Sequence, residues 1–235
     1  MRNIITDITA VSICSNTKFL IARSYLSLRA FHPEMKVIIV DGSSPESDCY
    51  NYVRSLACEN TVIYQPGYNI GHGNGMHYAL SRCTTKYALI FDSDIVMTKS
   101  PVQVMLNKME SDTYGVGWIY DVGLDGFDYG TPGKNHALRI PYIHPYFMLL
   151  SVKQYFNFAP FVHHGAPCYK AMIDIYKRGL SGKILKSIPG LTGHTSGEGI
   201  NWKGQPSEYI QHEFGGTRRA NREAGKREIE GAWQC

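Results

Sequence analysis

The sequence predicts an α/β fold, with a mainly parallel, doubly wound central sheet flanked by helices in a single compact domain. Three observations carry this. Short apolar, β-branched runs recur with segments of helical period between them, and each run ends in turn-forming polar or acidic residues. The length, 235 residues, suits one large unit rather than two independent domains with a linker.

The first run, Ile8-Thr9-Ala10-Val11-Ser12-Ile13-Cys14, is halted by Ser15-Asn16 and reads as a buried strand. Lys18 to Phe31 then places Phe19, Leu20, Ala22, Tyr25, Leu26 and Leu28 on a helical stripe that stops before Pro33. Met35 to Val40 is a second strand running into Asp41-Gly42-Ser43-Ser44. The alternation continues with a helix at Ser47 to Ala57, a short strand at Thr61 to Tyr64, a helix at Gly73 to Ser81 and a buried strand at Tyr87 to Phe91. In such sheets ligands bind beyond the carboxyl ends of the strands, where Asp41 and the Asp92/Asp94 pair fall.

Beyond Pro101 the alternation weakens and Gly and Pro become frequent. Strands at Tyr114 to Tyr120 and Tyr146 to Ser151, and a helix at Pro167 to Arg178, are the recognisable elements there. The chain therefore divides into a regular half, 1–100, a less regular half, 101–216, and a basic tail, 217–235; the motifs and the resemblance set out below make the first the expected nucleotide-sugar-binding half and the second the expected acceptor-binding half.

An apolar fraction of 43% and a charged fraction of 19% describe an ordinary globular core. The formal charge of +4 and pI near 8.6 suit an anionic ligand without requiring one. Basic residues concentrate only at Arg218, Arg219, Arg222, Lys226 and Arg227, offset by Glu223, Glu228 and Glu230. A solvated helix or a polyanion contact both fit this segment. The six cysteines are widely spaced, without a CxxC pair or a secretory leader, which fits free thiols in a reducing cytoplasm. No apolar run approaches the roughly 20 residues that span a bilayer.

Asp92-Ser93-Asp94 follows the apolar Ala88-Leu89-Ile90-Phe91. Carboxylates spaced i, i+2 at a strand end can aim at one hard divalent cation bridging diphosphate oxygens. Asp41 can accept a hydrogen bond from a nucleoside or simply open the Asp-Gly-Ser-Ser turn. In Asn69-Ile70-Gly71-His72-Gly73-Asn74-Gly75 the glycines admit a ligand near the backbone, and the following helix N-terminus favours an anion. The spacing matches neither a dinucleotide fingerprint nor a P-loop.

This ordered series, a strand ending in Ser15-Asn16, then Ile-Ile-Val-Asp-Gly-Ser-Ser, Asn-Ile-Gly-His-Gly-Asn-Gly and Leu-Ile-Phe-Asp-Ser-Asp, resembles family-two-like glycosyltransferases of the GT-A fold over about residues 8 to 100. The resemblance implies a nucleotide-sugar transferase, of a kind also found in viruses, with Asp92 and Asp94 holding Mn²⁺ or Mg²⁺ on the donor diphosphate. It implies that Asp41 contacts the base, commonly uracil, and that Ser15, His72, Asn74, Asp92 and Ser93 line the donor. Tyr209 to Arg218 looks like the family's closing strand and loop, which makes His212 a candidate third metal ligand and Arg218 a donor contact.

The acidic pair that supplies the general base in inverting members is missing. The corresponding stretch reads Phe161-Val162-His163-His164-Gly165-Ala166-Pro167. His163 or His164 can take that role, as can a displaced acid such as Asp174, Asp121 or Glu198, and a retaining enzyme would not need it; His164 and Asp174 are the catalytic candidates carried forward. Gly193 to Trp202 suits a closing loop, and Trp118, Tyr120, Tyr142 and Tyr146 are candidates for stacking on an acceptor ring. The expected reaction is metal-dependent transfer of a sugar from a nucleotide-sugar, commonly a UDP-sugar, to a hydroxyl of a glycan or of a hydroxymethylated DNA base. A nucleotidyltransferase and a non-catalytic nucleotide-sugar-binding module are the alternatives.

Overall fold

The computed structural model describes residues 7–126, 138–191 and 207–212. Its centre is a seven-stranded sheet in which β1 (Ile8–Cys14) lies between β2 (Lys36–Asp41) and β4 (Tyr87–Phe91), with β3 (Thr61–Tyr64) outside β2; these strands are parallel. The intervening helices are α1 (Lys18–Phe31), α2 (Asp48–Ser55) and α3 (His72–Leu80).

The apolar runs are continuous rather than alternating because both faces of the sheet are covered. Val37, Ile39, Leu89 and Phe91 face one layer with Ile21, Tyr25 and Leu28 of α1, whereas Ile38, Val40, Ala88 and Ile90 face the other with Met76, Ala79 and Leu80 of α3. From β1 the chain builds outward to β2 and β3, then crosses back to place β4 on the other side of β1. The topology thus switches direction between β1 and β4, and a crevice opens at their carboxyl ends.

The second half extends the same sheet. After β5 (Ile95–Met97) and α4 (Val102–Leu106), β6 (Gly115–Gly123) and β7 (Arg139–Ser151) form an antiparallel pair, with β7 docked antiparallel on β4. Then follow α5 (Val152–Tyr155), α6 (Tyr169–Lys177), α7 (Ser181–Ile184), β8 (Leu185–Lys186) parallel to β6, and β9 (Ile210–His212). One sheet therefore joins residues 1–100 to residues 101–216, so the two halves are not separate folding units.

β7 is more than twice as long as the strand expected at Tyr146 to Ser151. Pro141, which argues against a strand in sequence, lies where β7 has left β4 and pairs with β6 alone, and Pro145 lies within the register shift opposite Gly117 to Ile119. A proline N–H is not missed at a sheet edge or bulge. Among the described residues no helix is long and apolar enough to cross a membrane.

Candidate metal and donor site

At the switch point the chain leaves β4 as Asp92-Ser93-Asp94 and re-enters extended backbone at once as β5. The backbone of this triplet is fixed from two sides: Asp92 N–H donates to the Tyr146 carbonyl at 2.8 Å, and the Asp92 carbonyl accepts from Ser24 Oγ at 3.0 Å. Ser93 is buried. β5 has an antiparallel partner that the sequence pattern does not announce, the short β9, in a register that sets His212 opposite Ile95. A histidine 118 positions away thereby arrives beside Asp94, with Nε2 3.1 Å from Asp94 Oδ1 and 3.9 Å from Asp92 Oδ2. Its ring is buried and stacked almost parallel on Tyr146, with centroids 4.9 Å apart.

One donor atom from each of Asp92, Asp94 and His212 lies within 4.8 Å of the others. Two carboxylates and an imidazole suit a hard or borderline divalent cation. Asp92 Oδ1 is a further sign of fit, since it is buried and makes no hydrogen bond, although His72 Nε2 stands 3.2 Å away. Burial would push the Asp92 carboxyl up, but His72 first, then His212 and His144, hold it below the usual carboxylate range. Burial likewise works against charge on His72, and Asp92 beside it outweighs this and raises the imidazole. Asp92 is therefore favoured in its ionised form, as a ligand to a cation requires.

His72 is the first residue of α3, and its position depends on the glycines around it. Gly71 has φ of +84°, and a Cβ there would lie 2.2 Å from His163 Nδ1; at Gly73 a Cβ would meet the Val162 carbonyl at 1.9 Å. The Val162-His163 segment thus crosses directly over the start of α3. Because backbone cannot yield as a flexible side chain does, Gly73→Ala is expected to cost about 2–3 kcal/mol and lower Tm by roughly 5–10 °C in a thermal melt.

The remaining expected residues are placed less simply. Ser15 Oγ donates to the Gly42 carbonyl at 3.2 Å and so ties the end of β1 to that of β2. Asn74 is exposed on the first turn of α3, its Nδ2 donating to the Ile70 carbonyl at 2.8 Å. Asp41 lies on the predicted edge but is fully buried. Its Oδ1 accepts from Ser43 N, Ser43 Oγ and Cys14 Sγ, and its Oδ2 accepts from Gln65 Nε2 at 2.9 Å. In this arrangement both carboxylate oxygens of Asp41 face donors of the protein itself.

The two catalytic candidates, Asp174 and His164, each make contacts within their own segment. Asp174 is held by Arg178 one turn along α6, at 2.8 and 2.9 Å, and accepts from Ala159 N–H. Its place on the helix follows from that i, i+4 pair. His164 Nδ1 accepts from Ala166 N–H at 3.0 Å and the ring packs on Tyr169, a local turn contact. Of the proposed stacking residues, Tyr142 and Tyr146 are buried in the protein, Trp118 is nearly so, and Tyr120 stacks on Trp118 at 4.4 Å. Asp121 is exposed on β6. Arg218, Glu198, the Gly193 to Trp202 loop and the basic tail lie outside the described residues.

Sequence reasoning missed His144, whose charge bears on Asp92, and the clamp Ser24, and it read Tyr146 as an acceptor-stacking residue rather than a clamp. No motif marks them, because each acts from a different element.

The sequence profile of glycosyl transferase family 2 matches residues 9–175. The chain belongs to that family. The matched span contains the acidic triplet but stops before His212. Solved structures share the fold at low identity. A mannosyltransferase, PcManGT from Pyrobaculum calidifontis in complex with GDP-Man and Mn²⁺, superposes with a TM-score of 0.56 at 15% identity over 79% of this chain and 55% of that one. Residues 1–349 of TarS from S. aureus give 0.55 at 15% identity over 87% and 60%. GalNAc-T7 with UDP, GalNAc and Mn²⁺ gives 0.56 at 10% identity over 77% and 42%. The chain thus spans at most 60% of these three proteins. No curated protein sequence matches it significantly. The fold is GT-A, as these neighbours have it.

Proposed function

We propose that this family 2 member is a metal-dependent hexosyltransferase that uses a UDP-sugar or a closely similar nucleotide-sugar as donor. The observation that supports this best is the convergence of Asp92, Asp94 and His212 at the switch point of the sheet. Neighbours of the same fold were solved with Mn²⁺ and GDP-Man or with Mn²⁺, UDP and GalNAc, and Mn²⁺, with Mg²⁺ as substitute, is the proposed ion.

When bound, the cation supplies Lewis-acid stabilisation of the charge that builds on the departing diphosphate. Asp92 and Asp94 would offer carboxylate ligands and His212, stacked on Tyr146, an imidazole one. His72 adds positive charge on the open side of Asp92. The first turn of α3 presents backbone N–H groups towards an anion. The acceptor hydroxyl oxygen forms a bond to the anomeric carbon while the bond from that carbon to the diphosphate oxygen breaks, through a transition state of oxocarbenium character, and the hydroxyl proton passes to a general base, for which His164 and Asp174 are the proposed residues.

The products distinguish this reading from a nucleotidyltransferase. Incubation with a UDP-sugar and Mn²⁺ is expected to release UDP with transfer or slow hydrolysis of the sugar; release of pyrophosphate would overturn it. Tight metal-dependent binding with no turnover on any donor would instead identify a binding module.

The proposed acceptor hydroxyl belongs to a glycan or to a hydroxymethylated DNA base, and the basic tail 217–235 favours a polyanion. On the second acceptor, duplex DNA is retarded at low salt, and retardation falls steeply as salt rises and disappears on deleting 217–235. Absence of any DNA affinity at low salt would leave the glycan. The proposed compartment is the cytoplasm, on the wide spacing of the cysteines in the sequence.

A further inference from the structure

Asp41 sits where a carboxylate would be expected to read the base, yet its oxygens are taken by the protein's own donors. The cover is specific. Gly42 lets the 65–71 loop lie directly on the end of β2, where an added Cβ would stand 2.8 Å from the Asn69 Cα. That loop brings Gln65, which follows β3, over Asp41. Gln65 Nε2 donates to Asp41 Oδ2 at 2.9 Å and to the Tyr50 carbonyl at 2.7 Å.

Both neighbours of this amide nitrogen are acceptors, so the amide has one tenable orientation. Turning it over would set Oε1 against a carboxylate and a carbonyl. Oε1 is thereby held away from Asp41, and Gln65 is only half-buried. The consequence is a relayed acceptor: the charge of Asp41 orients the amide, and the amide carbonyl is what a ligand meets.

Gln65 also stands at a suitable place. In the order β3-β2-β1-β4, three strand spacings of about 4.8 Å separate the end of β3 from the end of β4, or roughly 14 Å. This is comparable with the reach of an extended nucleoside diphosphate whose phosphates lie at Asp92 and Asp94.

We propose that Gln65, oriented by Asp41, is the residue that reads the nucleobase, its Oε1 accepting the ring N–H of a base that carries one, the uracil N3–H or the guanine N1–H. Cytosine and adenine present a bare ring nitrogen at the equivalent position and would oppose two acceptors. The proposal rests on the nucleotide-sugar reading of the site.

The experiment titrates the protein in Mn²⁺ with UDP, GDP, CDP and ADP, then with the N-methylated form (N3 of uracil, N1 of guanine) of the tighter of UDP and GDP. Methylation is expected to weaken binding to the wild-type protein about 10- to 100-fold. Gln65→Met should bring the parent and methylated nucleotides within about twofold of each other. Gln65→Asn, which keeps the amide but withdraws it by one methylene, should do the same and serves if the first variant does not fold. Equal binding of parent and methylated nucleotides by the wild-type protein, or unchanged discrimination in either variant, overturns the role of Gln65 while leaving the metal site standing. Failure of every nucleoside diphosphate to bind in the presence of Mn²⁺ overturns the nucleotide-sugar reading and this proposal together.

Discussion

Asp94→Ala is expected to lower kcat/KM for sugar transfer by about a thousandfold, roughly 4 kcal/mol of transition-state stabilisation, in a steady-state assay at fixed Mn²⁺. The size follows from what the side chain does. Asp94 is one of two carboxylates in a cluster of three, and its Oδ1 stands 3.1 Å from His212 Nε2. Asp94→Asn should fall nearly as far, because a neutral amide oxygen neither balances the cation nor holds it as tightly. Activity within tenfold of wild type would remove Asp94 from the metal site.

His212→Ala is expected to weaken Mn²⁺ binding about 10- to 100-fold, with a matching loss of transfer at low metal that excess Mn²⁺ partly restores. The recovery is what separates a ligand from a structural histidine. His212 is buried, pairs through its backbone with Ile95 and stacks on Tyr146, so a purely structural role is a genuine competitor. On that competing account the variant would lose Tm equally with and without Mn²⁺, and added metal would not bring activity back. Calorimetric titration of Mn²⁺ together with paired thermal melts decides between them.

The first half of this fold was legible because its physics is local. The run from Ile8 to Cys14, broken only by the small buried Thr9 and Ser12, and the run from Tyr87 to Phe91 are apolar on both sides of the pleat because helices cover both sheet faces, and each stops at the ligand edge. Asp92 and Asp94 could be placed from that rule alone. His212 could be suspected only by resemblance, since the pairing of β5 with β9 joins segments more than a hundred residues apart and each is three residues long. Strands that short leave almost no periodic signal.

The second half was harder for an identifiable reason. Pro141 and Pro145 break the strand pattern in sequence, but the strand persists because it needs no second partner at Pro141 and Pro145 lies within the register shift. The histidines at 163 and 164 appear equivalent in sequence and are not so in space. His163 lies against Gly71 at the head of α3, whereas His164 closes a turn onto Ala166. Asp41 shows the opposite limit. Its position was readable from the strand end, but its complete internal satisfaction depends on a loop 24 residues later, and sequence spacing carries no information about that.

The central claim is that one cation is shared by Asp92, Asp94, His212 and a nucleoside diphosphate. It is tested most directly by titrating UDP into the protein with and without Mn²⁺, for wild type and for Asp94→Ala. Shared coordination makes the two ligands raise each other's affinity reciprocally, by about 100-fold in the wild-type protein, and that coupling collapses to near unity in the variant. UDP affinity that is the same with and without Mn²⁺, or a coupling that survives loss of Asp94, would contradict it.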